Sequence, residues 1–215
     1  MTSNLHFRQG MALLTLISLL SMYLEPLNAQ IKIYTGTLSG LNEVPPVMTP
    51  GTGQVTLTLN TAAQTMRIQV TFTNLGSTTT MAHVHCCALP GNNGGVATML
   101  PSLSSFPVGV TSGSLDQTLN LLDVMSYSGT FLTNHGGTAA GASAALEAGL
   151  DAGQAYFNIH TQNNAGGEIR ANLQLLPAAA IPTLSTWGLL ALIMLLLITG
   201  LSILKYRAQA VVFLK

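Results

Sequence analysis

Apolar and polar side chains alternate through two neighbouring stretches, and this feature restricts the fold more than any other. In 53–60, "GQVTLTLN", every second residue from Val55 is apolar and threonine stands between. In 65–75, "TMRIQVTFTNL", the apolar positions run from Met66 to Phe72 at the same spacing. Because strand side chains point alternately to opposite faces, both stretches are predicted to be strands with one buried face. The residues between them, 60–64, predict a hairpin connection.

Further stretches extend this β pattern. Alternation begins again at Ile31, and "AYFNIHT" (155–161) and "GEIRANLQLL" (167–176) predict two late strands joined by a turn over 162–167. Residues 139–150 have helical character, with Gly149 and Gly153 expected to end the helix. Several short strands at this spacing predict an all-β fold, an antiparallel Greek-key-like β-sandwich or barrel with one short helix.

The N-terminal 29 residues have the layout of a secretory signal peptide. Arg8 precedes an apolar run over 11–24, Glu25 and Pro26 interrupt it, and Ala29 offers a small residue for cleavage before Gln30. The run is short for a segment that crosses a bilayer, which takes about 20 residues. An uncleaved N-terminal anchor is the alternative interpretation.

A second apolar segment lies near the C-terminus. Residues 188–204 contain no charged side chain, Trp187 precedes them, and Lys205 and Arg207 follow. An interfacial aromatic residue on one side and basic residues on the other are typical of a transmembrane helix whose C-terminal tail is cytoplasmic. We therefore expect a membrane helix over 188–204 and a basic tail over 205–215, preceded by a linker over 177–187.

The linker carries a recognisable motif. The run Ile181-Pro182-Thr183-Leu184-Ser185, followed by Trp187-Gly188, resembles the IPTL-CTERM sorting signal, which is similar to the PEP-CTERM class of bacterial sorting tails. The resemblance implies export into a Gram-negative-type envelope and recognition by an exosortase-like processing enzyme at the membrane. The residues "AQAVVFLK" after the basic residues depart from the family pattern, in which chains end soon after an Arg cluster.

Residues 30–176 form the predicted working domain. With three basic and six acidic residues this domain has a formal net charge of −3, and charged residues make up 7% of the whole chain. Nucleic-acid-binding domains usually carry a basic patch, so no nucleic-acid partner is expected.

The same domain resembles the CHRD domain, the repeat first named in chordin. Four stretches carry the resemblance: 36–47 with "NEVPPV", 82–85 with "AHVH", 146–161 with "AYFNIHT", and 166–171 with "GGEIRA". The resemblance implies an all-β module of extracellular and cell-surface proteins. It assigns these positions to the family motif: Glu43, Pro45, Pro46, Asn158, Thr161, Gly167, Glu168 and Arg170.

Two histidines and two cysteines lie close together in "MAHVHCC" (81–87). In a strand His83, His85 and Cys87 share one face, and His160 could join them if its strand lies alongside. Three imidazoles with an open position suit zinc or copper. The alternative is a structural polar cluster in which a histidine supports an ion pair between Glu168 and Arg170.

Cys86 and Cys87 are adjacent, so a bridge between them departs from the usual Cα separation of disulfides. Free or metal-bound thiols are the first expectation, a vicinal disulfide the second and an intermolecular bond the third. His135, in the glycine-rich "TNHGG", is expected to be an exposed loop residue.

The leading functional hypothesis is a non-enzymatic binding or structural module of the cell surface or extracellular matrix. Threonine-rich strand faces suit contact with matrix polysaccharide or a surface protein, and motifs of hydrolases, phosphate loops and zinc proteases are absent from the sequence. The alternative is an extracytoplasmic copper- or zinc-binding protein, or a superoxide-dismutase-like metalloenzyme, that uses His83, His85 and His160.

Overall fold

The computed structural model describes residues 31–177, 190 and 193–199. The chain divides into two compact units, 1–177 and 178–215. In the first unit the strands are β1 (Ile31–Ser39), β2 (Thr52–Asn60), β3 (Thr65–Thr73), β4 (Thr79–Cys86), β5 (Gly95–Val96), β6 (Gly113–Asn120), β7 (Tyr156–Thr161), β8 (Ile169–Asn172) and β9 (Gln174–Leu175). The α-helices are α1 (Gly129–Asn134) and α2 (Ala139–Asp151), and two short 3-10 helices cover Gly40–Asn42 and Val124–Ser126.

All strand pairs are antiparallel and belong to one sheet. The strand order is β5-β4-β7-β8-β1-β2-β3-β6, and β9 also pairs with β1. The predicted all-β, antiparallel fold is confirmed. Of the two forms expected, a sandwich or a barrel, the structure shows neither in full: the strands form one curled sheet, a half-barrel. The sheet stays continuous because β1 pairs with β2 along its whole length and with β8 and β9 on its other edge.

The alternation predicted the central strands correctly. In β3 every second residue from Met66 to Phe72 is buried, while Arg67 and Thr71 are exposed. The connection over 60–64 is the predicted hairpin: Asn60 Oδ1 accepts hydrogen bonds from the next turn residues, and β2 pairs with β3 throughout. The inner face therefore forms the apolar core, and the outer face presents threonine and glutamine.

Helix α2 packs its apolar side on this core. Leu146 and Leu150 are buried, and the hydroxyl of Thr138 accepts a hydrogen bond at the N-terminus of the helix. Gly153, with φ +65°, follows the end of the helix as predicted, whereas Gly149 lies inside it. Helix α1 was not predicted, so the expectation of one helix was wrong.

The predicted terminal segments lie mostly outside the described residues. These are the signal peptide 1–29 with its cleavage site, the sorting motif 181–188 and the basic tail 205–215. Within the predicted membrane segment, residues 193–199 are helical. Among the described residues, the helices are all too short or too polar to cross a bilayer.

Candidate metal centre

Strand β4 buries both of its faces. Ala82 and Val84 point into the apolar core, and the alternation of the strand places His83 and His85 on the opposite face. Both histidines are nonetheless almost inaccessible, at 1% and 7% exposure. Such buried polar groups require partners, because an unmade hydrogen bond in the interior costs about 1–3 kcal/mol.

Strand β7 brings His160 to the same face. In the β4–β7 pairing His83 lies opposite Asn158 and Met81 lies opposite His160, so the His160 ring reaches diagonally to His83. His83 Nδ1 and His160 Nε2 are 3.3 Å apart. One ring nitrogen from each of His83, His85 and His160 lies within 4.8 Å of the other two. The predicted convergence of these three histidines is what the structure shows.

Each histidine also contacts a backbone carbonyl. His83 Nε2 lies 2.8 Å from Pro101 O, His85 Nδ1 lies 2.9 Å from Gly94 O, and His160 Nδ1 lies 2.9 Å from Ala165 O. A carbonyl only accepts, so each of these ring nitrogens carries the proton. The remaining nitrogens, which are His83 Nδ1, His85 Nε2 and His160 Nε2, therefore present lone pairs when the rings are neutral.

Burial keeps the rings neutral. It lowers the pKa of both His83 and His85 to about 4, although the contacts with Pro101 O and Gly94 O act in the opposite direction. Burial also lowers the pKa of His160, and the Ala165 carbonyl opposes this effect. At pH 7 the cluster consequently holds three uncharged imidazoles, the protonation state that a metal ion requires of its histidine ligands.

The geometry of the lone pairs suits a metal ion. Two nitrogens bound to a tetrahedral zinc ion at about 2.0–2.1 Å lie about 3.3–3.4 Å apart. The His83 and His160 nitrogens already have that spacing. A metal-bound histidine typically donates its other N–H to a carbonyl or carboxylate, which fixes the ring. All three rings have such an acceptor.

Cys87 does not belong to the cluster. Strand β4 ends at Cys86, Cys87 is exposed, and the two sulfurs form a disulfide with each other. The expectation of free or metal-bound thiols is corrected: the alternation of faces does not extend beyond the strand, and the bonded sulfurs carry no thiolate. The bridge packs on α2, where a Cβ on Gly149 would overlap Cys86 Sγ.

A stack of side chains supports His85 from one side. The Tyr156 ring lies parallel to the His85 ring at 4.6 Å, and the Arg170 guanidinium lies 3.5 Å from the centroid of Tyr156. Strand β7 lies between β4 and β8, so Tyr156 on β7 lies between His85 on β4 and Arg170 on β8. Tyr156 was missed as a site residue, although its spacing of two from Asn158 and four from His160 already places it on their face.

Arg170 and Glu168 do not form the ion pair considered above. Arg170 donates to Asn92 O and to Asn93 Oδ1, at 2.9 and 3.2 Å. Glu168 lies before the first residue of β8, so strand alternation does not place it beside Arg170. Its carboxylate instead accepts hydrogen bonds from Thr161, Thr49 and the backbone N–H of Gly76.

The family-motif residues after β1 differ in their exposure to solvent. Pro45 and Pro46 are exposed in the loop to β2, whereas Glu43 is 5% exposed. A Cβ on Gly167 would lie 2.5 Å from Glu43 Oε1 and 2.7 Å from Asn158 Nδ2. Glu43 and Asn158 thus share a space that a side chain on Gly167 would fill.

Burial raises the pKa of Glu43 to about 7, while the Arg170 charge and the Asn158 amide act in the opposite direction.

His135 lies elsewhere: it is half-buried at the C-terminus of α1, with Nδ1 2.8 Å from Phe131 O. It is therefore less exposed than expected.

The family model of the CHRD domain matches residues 34–173, which include the whole histidine cluster. No curated protein and no solved structure matches the chain. The matched region covers more than half of the sequence. The chain therefore belongs to the CHRD-domain family, whose members are modules of extracellular, secreted type.

Proposed function

We propose that this chain is an exported CHRD module that binds one copper or zinc ion through His83, His85 and His160. The observation that carries the proposal is the convergence of three buried imidazole rings, with one nitrogen of each within 4.8 Å of the other two and the second nitrogen of each in contact with a backbone carbonyl. Imidazole is a preferred ligand of both metals. With the ring protons on the nitrogens that face the carbonyls, His83 Nδ1 and His160 Nε2 are two acceptors 3.3 Å apart, and a bound cation would satisfy both.

The role we propose is binding without turnover. A superoxide-dismutase-like dinuclear centre needs a second group of ligands. Among the described residues, the three histidines are the one group of at least three metal-ligating side chains that converge. A likeness in fold to an enzyme does not by itself indicate that the chain has an enzymatic activity.

Metal content tests this proposal. The purified full-length chain, exposed to zinc or copper(II) and then dialysed, should retain about one ion per chain by elemental analysis. The double variant His83→Ala/His85→Ala should retain none. His135→Ala removes a histidine outside the cluster and should bind as the unaltered chain does. Equal metal content in the double variant and the unaltered chain would contradict the proposal.

Export and sorting complete the proposed function. The basis is the signal-peptide layout of 1–29 and the IPTL-type motif at 181–188, with 188–204 as a transient or permanent inner-membrane anchor. We propose that an exosortase-like enzyme recognises the tail. Fractionation of cells that make the chain should find it in the envelope or the medium; uncut chain in the cytosol would refute export.

The proposed contact surface for a matrix polysaccharide or surface protein is the outer face of β1, β2, β3 and β6. Across it the register places Thr35 beside Thr56, then Gln69 and Asp116. This row consists of polar side chains on a regular sheet, which suits hydrogen bonding to a polymer.

A further inference from the structure

Three buried polar atoms around the histidine cluster have no hydrogen-bond partner. They are His85 Nε2, Asn158 Oδ1 and Glu43 Oε1. Native interiors leave few such atoms, and each one calls for an explanation. Two of them, on His85 and Asn158, face the same region, because His83 lies opposite Asn158 in the β4–β7 pairing and His85 follows two residues later.

The Asn158 side chain has a defined orientation. Its Nδ2 lies on the side of Glu43 Oε1, since both atoms line the space at Gly167. The same side chain interacts with Glu43 and with His85. The amide nitrogen thus lies toward the carboxylate, and the amide oxygen, on the other arm of the group, lies toward His85.

His85 and the Asn158 carbonyl cannot satisfy each other. The proton of His85 is on Nδ1, which donates to Gly94 O, so Nε2 is an acceptor. Asn158 Oδ1 is an acceptor as well. His85 Nε2 and Asn158 Oδ1 are therefore a second pair of acceptors, in addition to His83 Nδ1 and His160 Nε2.

We propose that Asn158 Oδ1 is the fourth ligand of the metal ion, and that Glu43 positions the Asn158 amide for this role. The inference rests on the proposed metal-binding function. A cation held by these four atoms would satisfy all four lone pairs, and four ligands match the tetrahedral coordination that zinc prefers. Asn158 is 1% exposed, so its oxygen is already held inside the protein.

The ligand set also indicates the class of ion. Three imidazole nitrogens and one amide oxygen are harder donors than thiolate or thioether, which select cuprous copper. The set therefore favours a divalent ion, zinc or copper(II), over copper(I). Glu43 is a buried carboxyl group beside the proposed fourth ligand, where it lines the same space as the Asn158 amide nitrogen.

The test measures zinc affinity by chelator competition, together with the visible spectrum of the cobalt(II) form, for the full-length chain. Asn158→Ala should lower zinc affinity about 10–100-fold and should change the cobalt spectrum. Asn158→Asp retains an oxygen of the same reach and adds charge, so its affinity should equal or exceed that of the unaltered chain. The control is Asn163→Ala, at an exposed asparagine in the next turn.

The Asp variant separates a ligand from a residue that merely aligns the site. Asp in place of Asn158 removes the donor toward Glu43 and places two carboxylates together. A purely structural Asn158 therefore predicts weaker binding for Asp than for the unaltered chain, and that result would overturn the inference. Unchanged affinity and spectrum in Asn158→Ala would also overturn it while leaving the three-histidine site intact. Absence of binding to the unaltered chain would instead refute the proposed function itself.

Discussion

Replacing Glu168 by Ala should lower the free energy of unfolding by about 3–5 kcal/mol, because several buried donors lose a charged acceptor together. Glu168 is fully buried. Its Oε1 accepts from Thr49 Oγ1 and from the Gly76 N–H, both at 2.6 Å, and its Oε2 accepts from Thr161 Oγ1 at 2.6 Å. One side chain thereby joins the loop before β2, the loop before β4 and the end of β7.

Urea unfolding of the metal-free chain measures this effect. Glu147→Ala is the matched control, since Glu147 is partly exposed and pairs with Lys32 at the surface, where an ion pair contributes about 0–1 kcal/mol. If Glu168→Ala costs no more than Glu147→Ala, Glu168 does not hold these segments together.

The stability of the fold in acid should also depend on the Glu168 carboxylate. Burial acts to raise the pKa of Glu168, but hydrogen bonds from Thr161, Thr49, Gly76 and Asn164 outweigh it, so the pKa lies below the ordinary value of 4.5. A depressed pKa stabilises the fold above the unfolded-state pKa, and this contribution is lost as the pH falls through the folded-state pKa. Below pH 4.5 the unaltered chain should therefore lose stability more steeply than Glu168→Gln.

Arg170→Ala should also destabilise the metal-free chain by about 3–5 kcal/mol, because a buried, fully bonded cation is removed from beside Glu43. Arg170 is 1% exposed, bonds Asn92 and Asn93, and lies against the Tyr156 ring. Its loss also removes the support behind the ring that packs on His85. We therefore expect lower zinc affinity as well.

Arg67→Ala is the control for Arg170→Ala. Arg67 pairs with Asp116 on the outer face, and both side chains are about half exposed, so its loss should cost no more than about 1 kcal/mol. Arg170→Lys retains the charge but not the planar stacking, so its free energy of unfolding should lie between those of Arg170→Ala and the unaltered chain. Equal stabilities of Arg170→Ala and Arg67→Ala would contradict the role given to Arg170.

Sequence periodicity predicted the strands that carry the site, because one buried face imposes alternation on each of them. The same alternation placed His83 and His85 together. It failed for Cys87 and Glu168 for one reason: both lie just outside their strands, where the two-residue period no longer fixes direction. Strand ends depend on tertiary contacts, which the local sequence does not contain.

The features that make the cluster a candidate metal centre come from the backbone. The carbonyls of Gly94, Pro101 and Ala165 accept the ring protons, and all three residues lie in loops outside the strands. Every residue has a carbonyl, so composition and spacing cannot show which ones face a histidine. Only the folded chain shows which ring nitrogens contact a carbonyl and which ones converge.

X-ray absorption at the zinc edge of the zinc-loaded full-length chain tests the central claim most directly. The proposed site predicts three imidazole nitrogens at about 2.0–2.1 Å from the ion and no sulfur ligand. A spectrum with fewer than three imidazoles, or with sulfur at about 2.3 Å, would contradict it.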